Sequence, residues 1–187
     1  MRPVTVAITG GIAAGKTEAL AAFARHGAAT SSSDEVVRDL HAHDEEVRSA
    51  IRERWGDDAV GNPGRIGSIV FSDRSELEWL EQLLHPKTRE AMDEWLRSVD
   101  APLAAVEIPL LYETGGDSRF DAVVVITAPA AVRASRRGPF GDREARLLPD
   151  EEKIQRADFS FVNDGSREAL DAFVAGVVEK LLSSSAA

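Results

Sequence analysis

The sequence predicts an α/β fold in which a five-stranded parallel sheet is flanked by helices. Short apolar runs of strand length alternate with segments of helical periodicity. A glycine-rich loop separates the first apolar run from the first helical segment. In addition, residues 35–99 have helical periodicity and no convincing strand, which predicts a helical insertion between the second and third strands.

The first elements of the sheet are easy to place. Residues 4–8 are apolar and predict the first strand, and residues 16–26 predict the first helix. Gly27 is suited to end that helix, and residues 28–31 predict a short second strand. The chain then leaves the sheet for the helical insertion.

Within the insertion, helices are expected over residues 35–40 and 45–55. Residues 56–67 contain Asn62-Pro63-Gly64 and predict a turn-rich loop. Residues 72–99 are again helical in pattern, and Pro86 predicts a break into two helices because proline disrupts a helix interior.

The rest of the chain returns to the sheet. The third and fourth runs are almost continuously apolar, as expected for strands that are buried on both faces of a parallel sheet. The remaining strands are expected at residues 103–108, 122–126 and 159–162, and the helices at 129–137 and 166–182. Residues 136–150 are rich in arginine and weakly periodic, and they predict a lid.

The glycine-rich loop has the spacing G-x-x-x-x-G-K-[ST] of a P-loop. In a P-loop, backbone N–H groups and the positive end of the following helix bind phosphates. Lys16 is expected to reach the β- and γ-phosphates of ATP and to act in catalysis, and the Thr17 hydroxyl is expected to bind Mg²⁺. The alternative is a plain glycine turn. The residues predicted to bind the nucleotide are Gly11, Ile12, Ala13, Ala14, Gly15, Lys16 and Thr17.

Two carboxylates follow predicted strands and are candidates for the chemistry. Asp34 comes just after the second strand, where a kinase needs a base or an orienting group for the acceptor hydroxyl. Its alternative role is to cap the next helix. Glu107 ends the third strand, where a carboxylate can orient Mg²⁺ or its water shell.

Other charged residues are expected at the same edge of the sheet. Arg38 lies one helical turn after Asp34 and is either a clamp for a substrate phosphate or a solvated arginine. Glu113 either lines the acceptor pocket or belongs to a helix turn. Guanidinium groups of a lid can stabilise a transferring phosphoryl group. The lid candidates are Arg133, Arg136, Arg137, Arg143 and Arg146, of which Arg143 is assigned to catalysis.

Composition excludes several classes of protein. The chain has no cysteine, so disulfides and thiolate metal sites are excluded. Its formal net charge of −10 argues against binding a nucleic-acid backbone. No apolar run approaches the roughly 20 residues of a membrane span. We therefore expect a cytoplasmic protein without nucleic-acid or membrane partners, and a monomer or weak homo-oligomer.

Several segments in this order resemble the dephospho-CoA kinase family. The resemblance covers almost the whole chain, and its specific elements are the His-Pro and Pro-Leu-Leu-x-Glu motifs. The matching segments are Thr9-Gly10-Gly11-Ile12 with the P-loop, Asp34 with Val36-Val37-Arg38, Ile69-Val70-Phe71-Ser72-Asp73, Leu83-Leu84-His85-Pro86, Ile108-Pro109-Leu110-Leu111-Tyr112-Glu113, Ala157-Asp158 and Val162-Asn163-Asp164-Gly165.

The resemblance implies a P-loop NTPase fold and one kinase domain over residues 1–187. It also implies that ATP and Mg²⁺ are used to phosphorylate the ribose 3′-hydroxyl of dephospho-CoA. Residues 35–99 would be the helical CoA-binding domain and residues 136–150 the lid. The residues expected to contact dephospho-CoA are Thr9, Asp34, Arg38, His85, Leu111 and Glu113.

Three positions depart from the family pattern. Ser32-Ser33-Asp34 keeps only the last acid of a motif that usually begins with a second acid. Leu147 stands about where glutamine is common, and Lys153 where arginine is. The alternatives are therefore another nucleotide or small-molecule P-loop kinase, or a catalytically weakened homologue that binds nucleotide and regulates.

Overall fold

The computed structural model describes residues 2–137 and 147–185. The chain divides into two compact units. One unit comprises Met1–Ser32 and Val99–Ala187 and contains the sheet, and the other comprises Ser33–Ser98 and is helical. Among the described residues, no helix combines the length and apolar character that a membrane span requires.

The sheet has five strands, all parallel, in the order β2-β3-β1-β4-β5. The predicted five-stranded parallel sheet is confirmed. The central strands are completely or almost completely buried because helices cover both faces. The strands are β1 Val4–Gly10, β2 Ala29–Ser32, β3 Leu103–Glu107, β4 Ala122–Thr127 and β5 Phe159–Val162.

In the described part of the sheet unit, four helices pack around these strands. The main core joins apolar side chains of β1, β3 and β4 to those of the first and last helices, with Phe23 and Leu170 fully or almost fully buried. The helices are α1 Lys16–Arg25, α6 Ala130–Arg137, α7 Asp150–Arg156 and α8 Arg167–Ser185. Helix α7 is not predicted from the sequence, since its highly charged residues show little apolar periodicity. Residues 138–146 of the predicted lid lie outside the described residues.

The helical unit has its own core, which includes the fully buried Val47 and Ile51. Its helices are α2 Ser33–His43, α3 Glu45–Trp55, α4 Pro63–Ser72 and α5 Arg74–Ser98. Two predictions about this unit are wrong. The expected loop over residues 56–67 ends early, because Asn62 caps helix α4 through Arg65 N and proline suits the first turn.

The second correction concerns Pro86, which does not break the helix. Helix α5 continues through it for 25 residues. Burial of Leu80, Leu84 and Met92 on both sides of Pro86 holds the helix in place despite the hydrogen bond that proline cannot donate.

Candidate active site at the carboxyl edge of the sheet

The phosphate-binding loop connects β1 to α1 at the carboxyl edge of the sheet. Two of its glycines are required by close approaches. A Cβ atom at Gly10 would lie 1.8 Å from the carbonyl oxygen of Ile126 on β4, and one at Gly15 would lie 2.3 Å from Nδ2 of Asn163. Both glycines also have positive φ angles, of 140° and 104°. The loop is therefore built against the neighbouring strands and is more than a simple turn.

Lys16, the first residue of α1, has its side chain folded against this loop. Its Nζ atom donates to the carbonyl oxygens of Gly11 and Gly10, at 3.0 and 3.3 Å. The residue is only 9% exposed. This places a nearly buried ammonium group beside backbone that is suited to bind phosphate, as the P-loop spacing predicts.

Thr17 and Glu107 meet at the start of α1. The threonine hydroxyl donates to Glu107 Oε2 at 3.1 Å, and Glu107 is almost completely buried as the last residue of β3. Strand register explains the encounter, since Glu107 pairs with Ile8 of β1 on one side and with Ser32 of β2 on the other. A hydroxyl and a carboxylate in contact are oxygen donors of the kind that Mg²⁺ prefers, so these two residues fit the predicted metal.

The segment after β3 packs under the same edge. Thr9 is fully buried and donates to the carbonyl oxygen of Pro109 at 3.3 Å. Leu111 is fully buried in a second core of the sheet unit, against side chains that include those of β4. Both predicted substrate-binding side chains are thus engaged in packing, and their part in substrate binding stays a prediction.

Glu113 of this segment forms a buried ion pair. Its Oε1 atom lies 2.9 Å from Nζ of Lys153, whose side chain is fully buried, and accepts a hydrogen bond from Leu148 N at 2.9 Å. The Glu113 side chain is 14% exposed. The lysine that departs from the family pattern therefore ties α7 to the segment that follows β3. A role for Glu113 in substrate binding stays a prediction.

An aromatic contact adjoins this ion pair. The Arg156 guanidinium lies 4.2 Å from the centre of the Tyr112 ring and also pairs with Asp117 at 3.0 Å. Burial raises the pKa of Tyr112. The phenol therefore stays neutral at physiological pH, and Tyr112 serves to hold α7 to the segment after β3.

Asn163, just past the end of β5, contacts the phosphate-binding loop and was not singled out as a site residue in the sequence. Its Nδ2 atom donates to the carbonyl oxygen of Ala14 at 2.8 Å. Arg136 donates to the carbonyl oxygens of Ala13 and Ala14, at 3.0 and 3.2 Å. The place of Asn163 directly after a predicted strand could have indicated this contact, since polar residues that follow parallel strands lie together at one edge of the sheet.

Two cavities that described residues line adjoin the loop. The first, about 340 Å³, is lined in part by Gly15, Arg136, Asn163 and Gly165. The second, about 300 Å³, is lined by Gly11, Arg133 and residues 147–151. A Cβ atom at Gly11 would lie 3.4 Å from Arg133 Nη1 and 3.3 Å from Asp150 Oδ1.

Among the predicted lid arginines, Arg133 and Arg136 therefore lie beside the loop. The side chain of Arg137 and the residues Arg143 and Arg146 lie outside the described part of the chain. The assignment of Arg143 to catalysis stays a prediction.

Three predicted site residues belong to the helical unit. Asp34 is exposed and lies in the first turn of α2, two residues after the last residue of β2. Arg38 is exposed, donates to the carbonyl oxygen of Asp34 at 3.2 Å and lies 3.8 Å from Glu35. His85 is exposed on α5. All three side chains are open to solvent, and their part in substrate binding stays a prediction.

Comparisons with known proteins identify the family. The sequence model of the family described as Dephospho-CoA kinase matches residues 4–169. The chain belongs to the dephospho-CoA kinase family. It is 34% identical to the Dephospho-CoA kinase of Mesorhizobium japonicum, over 95% of this chain and 96% of the relative. It is also 34% identical to the Dephospho-CoA kinase of Thermosynechococcus vestitus, over 90% of each chain.

The fold agrees with that of the family. Dephospho-CoA kinase from Campylobacter jejuni superposes with a TM-score of 0.72 over 97% of this chain and 98% of that chain, at 23% identity. The family membership indicates a kinase, which is the class of enzyme that the P-loop and its surrounding charges predict.

Proposed function

We propose that this protein transfers the γ-phosphoryl group of ATP to the ribose 3′-hydroxyl of dephospho-CoA and releases ADP and coenzyme A. The observation that carries the proposal is the arrangement of Lys16, Thr17 and Glu107 at the phosphate-binding loop, in a chain that belongs to the dephospho-CoA kinase family. In the reaction, the acceptor oxygen forms a bond to the γ-phosphorus while the bond from that phosphorus to the ADP oxygen breaks. The hydroxyl proton passes to a base.

ATP would bind with its phosphates on residues 11–17 and its nucleoside in the cavity next to Gly15. This cavity has about 340 Å³ and adjoins the loop directly, at the lower end of the size range of about 300–1,000 Å³ for ligand pockets. The Lys16 ammonium would move from the loop carbonyls to the phosphate oxygens, exchanging neutral acceptors for charged ones. This exchange favours binding of the triphosphate.

Thr17 and Glu107 would hold Mg²⁺ in the same site. When bound, the ion would neutralise charge that develops on the phosphate oxygens. Glu107 would act with the metal through an oxygen that already contacts the Thr17 hydroxyl. Addition of a chelator should abolish turnover, and an excess of Mg²⁺ should restore it.

Asp34 is the residue that we assign to the acceptor. A carboxylate near the 3′-hydroxyl would orient it and accept its proton as the oxygen attacks. Arg38, one turn along α2, would pair with a phosphate of dephospho-CoA, because guanidinium groups bind phosphate with two parallel hydrogen bonds. As the family resemblance implies, further contacts with dephospho-CoA would come from Thr9, His85, Leu111 and Glu113. Arg143 would stabilise the transferring phosphoryl group.

A coupled assay tests the proposal directly. ADP release is followed with dephospho-CoA as acceptor and, in parallel, with a panel of nucleoside monophosphates. We expect turnover with dephospho-CoA and a product that carries one added phosphoryl group on the 3′-oxygen, identified by phosphorus NMR. Turnover only with a nucleoside monophosphate would instead assign the chain to a different kinase reaction.

The same experiment separates an enzyme from a weakened homologue. Ser32 stands where the family usually has the first acid of this motif, so residual activity is the quantity to measure. Binding of both ATP and dephospho-CoA in a calorimeter without any product would favour a regulatory, nucleotide-binding role. We further propose a cytoplasmic enzyme that is monomeric or weakly associated, and light scattering across a concentration series tests the oligomeric state.

A further inference from the structure

Asn163 is placed to act on the phosphate-binding loop from outside the phosphate site. The residue is 4% exposed and follows the last residue of β5. Its backbone N–H donates to the carbonyl oxygen of Thr127, at the end of β4, at 2.7 Å. Its side chain uses both ends, since Nδ2 donates to Ala14 O while Oδ1 accepts from Gly165 N at 3.1 Å. The amide is thereby fixed in one orientation.

Arg136 supports the same contact from helix α6. Its Nη1 atom donates to the carbonyl oxygens of Ala13 and Ala14, and its Nη2 atom donates to Asn163 Oδ1 at 3.3 Å. Ala13 has a φ angle of 56°, in the left-handed region that residues other than glycine rarely adopt. Two side chains thus stabilise a short stretch of loop that has an unfavourable backbone conformation.

These contacts fix the direction of the next N–H group. The carbonyl of Ala14 and the N–H of Gly15 belong to one peptide plane, and the described residues contain no cis peptide bond. In a trans peptide the C=O and N–H bonds point in opposite directions. Since Asn163 and Arg136 hold the carbonyl of Ala14, the N–H of Gly15 points away from them.

We propose that Asn163 and Arg136 are positioning residues, which orient the Gly15 N–H group for binding of the nucleotide phosphates. The proposal rests on the proposed function, because it takes the loop to be the ATP phosphate site. Asn163 also lines the cavity next to Gly15, but its amide is used on Ala14 and Gly165, so it acts through the loop and not on the nucleoside or the reacting atoms. Gly15 is required on the same grounds, since any side chain there would displace the Asn163 amide.

The test uses inorganic tripolyphosphate, which has the phosphates of ATP and no nucleoside. Affinities for ATP and for tripolyphosphate are measured by calorimetry for the full-length protein and its variants. Asn163→Ala removes the hydrogen bond to Ala14 without adding a charge, and Arg136→Lys keeps the charge but cannot reach both carbonyls in the same way. Asp164→Asn is the control, because this neighbour is exposed and its carboxylate accepts a local hydrogen bond from Ser166 N.

We expect Asn163→Ala to lower the affinities for ATP and for tripolyphosphate by a similar factor of about 10. This is the effect of losing one hydrogen bond that orients the loop. Arg136→Lys should weaken both ligands by a few-fold, and the control should leave both unchanged. The KM for ATP should rise in Asn163→Ala while the KM for dephospho-CoA stays within about twofold. A general loss of structure would not raise the KM for ATP while leaving the KM for dephospho-CoA almost unchanged.

The outcomes distinguish this proposal from a direct contact between Asn163 and the nucleoside. If Asn163→Ala lowers the affinity for ATP but not that for tripolyphosphate, Asn163 contacts the nucleoside and the proposal is overturned. Unchanged affinity for both ligands overturns it as well. If Asn163→Ala fails to fold, Arg136→Lys decides, since Arg136 lies on the surface. Absence of turnover with dephospho-CoA would contradict the proposed function and leave these binding measurements intact.

Discussion

The buried ion pair between Lys153 and Glu113 gives the sharpest test of the structure. Lys153→Met would keep the length and apolar stem of the side chain while removing its charge. Glu113 would then remain almost buried, with a hydrogen bond from Leu148 N but without the cation that now lies 2.9 Å away. Breaking a buried pair on one side costs about 3–5 kcal/mol. Since the free energy of unfolding of a protein is about 5–15 kcal/mol, this variant should be severely destabilised.

Urea denaturation followed by circular dichroism measures this loss. Glu113→Gln should cost a similar amount, because it leaves the Lys153 ammonium fully buried without its counter-charge. The double variant Lys153→Met with Glu113→Gln should lie within about 2 kcal/mol of the wild type, since neutral residues of similar shape often replace a buried pair at little cost. Glutamine still offers an oxygen to Leu148 N.

Lys87 provides the matched control. It also pairs with carboxylates, at 3.0 Å to Asp44 and 2.7 Å to Glu46, but its side chain is 20% exposed and Glu46 is 84% exposed. Lys87→Met should therefore cost about 1 kcal/mol or less. Two results would contradict this prediction. One is a loss of unfolding free energy in Lys153→Met no larger than that of the control. The other is a loss in the double variant equal to the sum of the two single losses.

Three further predictions concern the helical unit. Asp34→Asn should lower kcat at least 100-fold in the coupled assay while ATP affinity in calorimetry stays near normal; full activity would leave Asp34 a helix-terminal residue only. Pro86→Ala should raise the free energy of unfolding by about 1–2 kcal/mol in urea titrations, because alanine restores a backbone donor to α5, and a destabilised variant would contradict this. Burial lowers the pKa of His41, so its contribution to stability is present above about pH 6.5 and is lost as pH falls through the folded-state pKa. His41→Gln should therefore flatten the decline of unfolding free energy between about pH 7 and 5, and an unchanged pH profile would rule out His41 as its source.

The sequence alone determined the elements that depend on local pattern. Apolar runs located β1, β3 and β4, and the spacing from Gly10 to Thr17 located the phosphate-binding loop. Such features are carried by neighbouring residues, so a short window contains the information. Pro86 misled the prediction because packing along α5 outweighed a local rule. Helix α4 was missed because Pro63 and Gly64 suit a turn as well as a first helical turn.

The tertiary structure decided which distant residues meet. The strand order β2-β3-β1-β4-β5 brings Glu107 to Thr17 and Asn163 to Ala14, although 90 and 149 residues separate the members of these two pairs. Local periodicity in the sequence does not indicate such contacts, because they form only when the parallel strands align their carboxyl ends. The sequence thus specified a phosphate-binding loop, whereas only the tertiary packing paired Lys153 with Glu113 and placed Asn163 against the back of that loop.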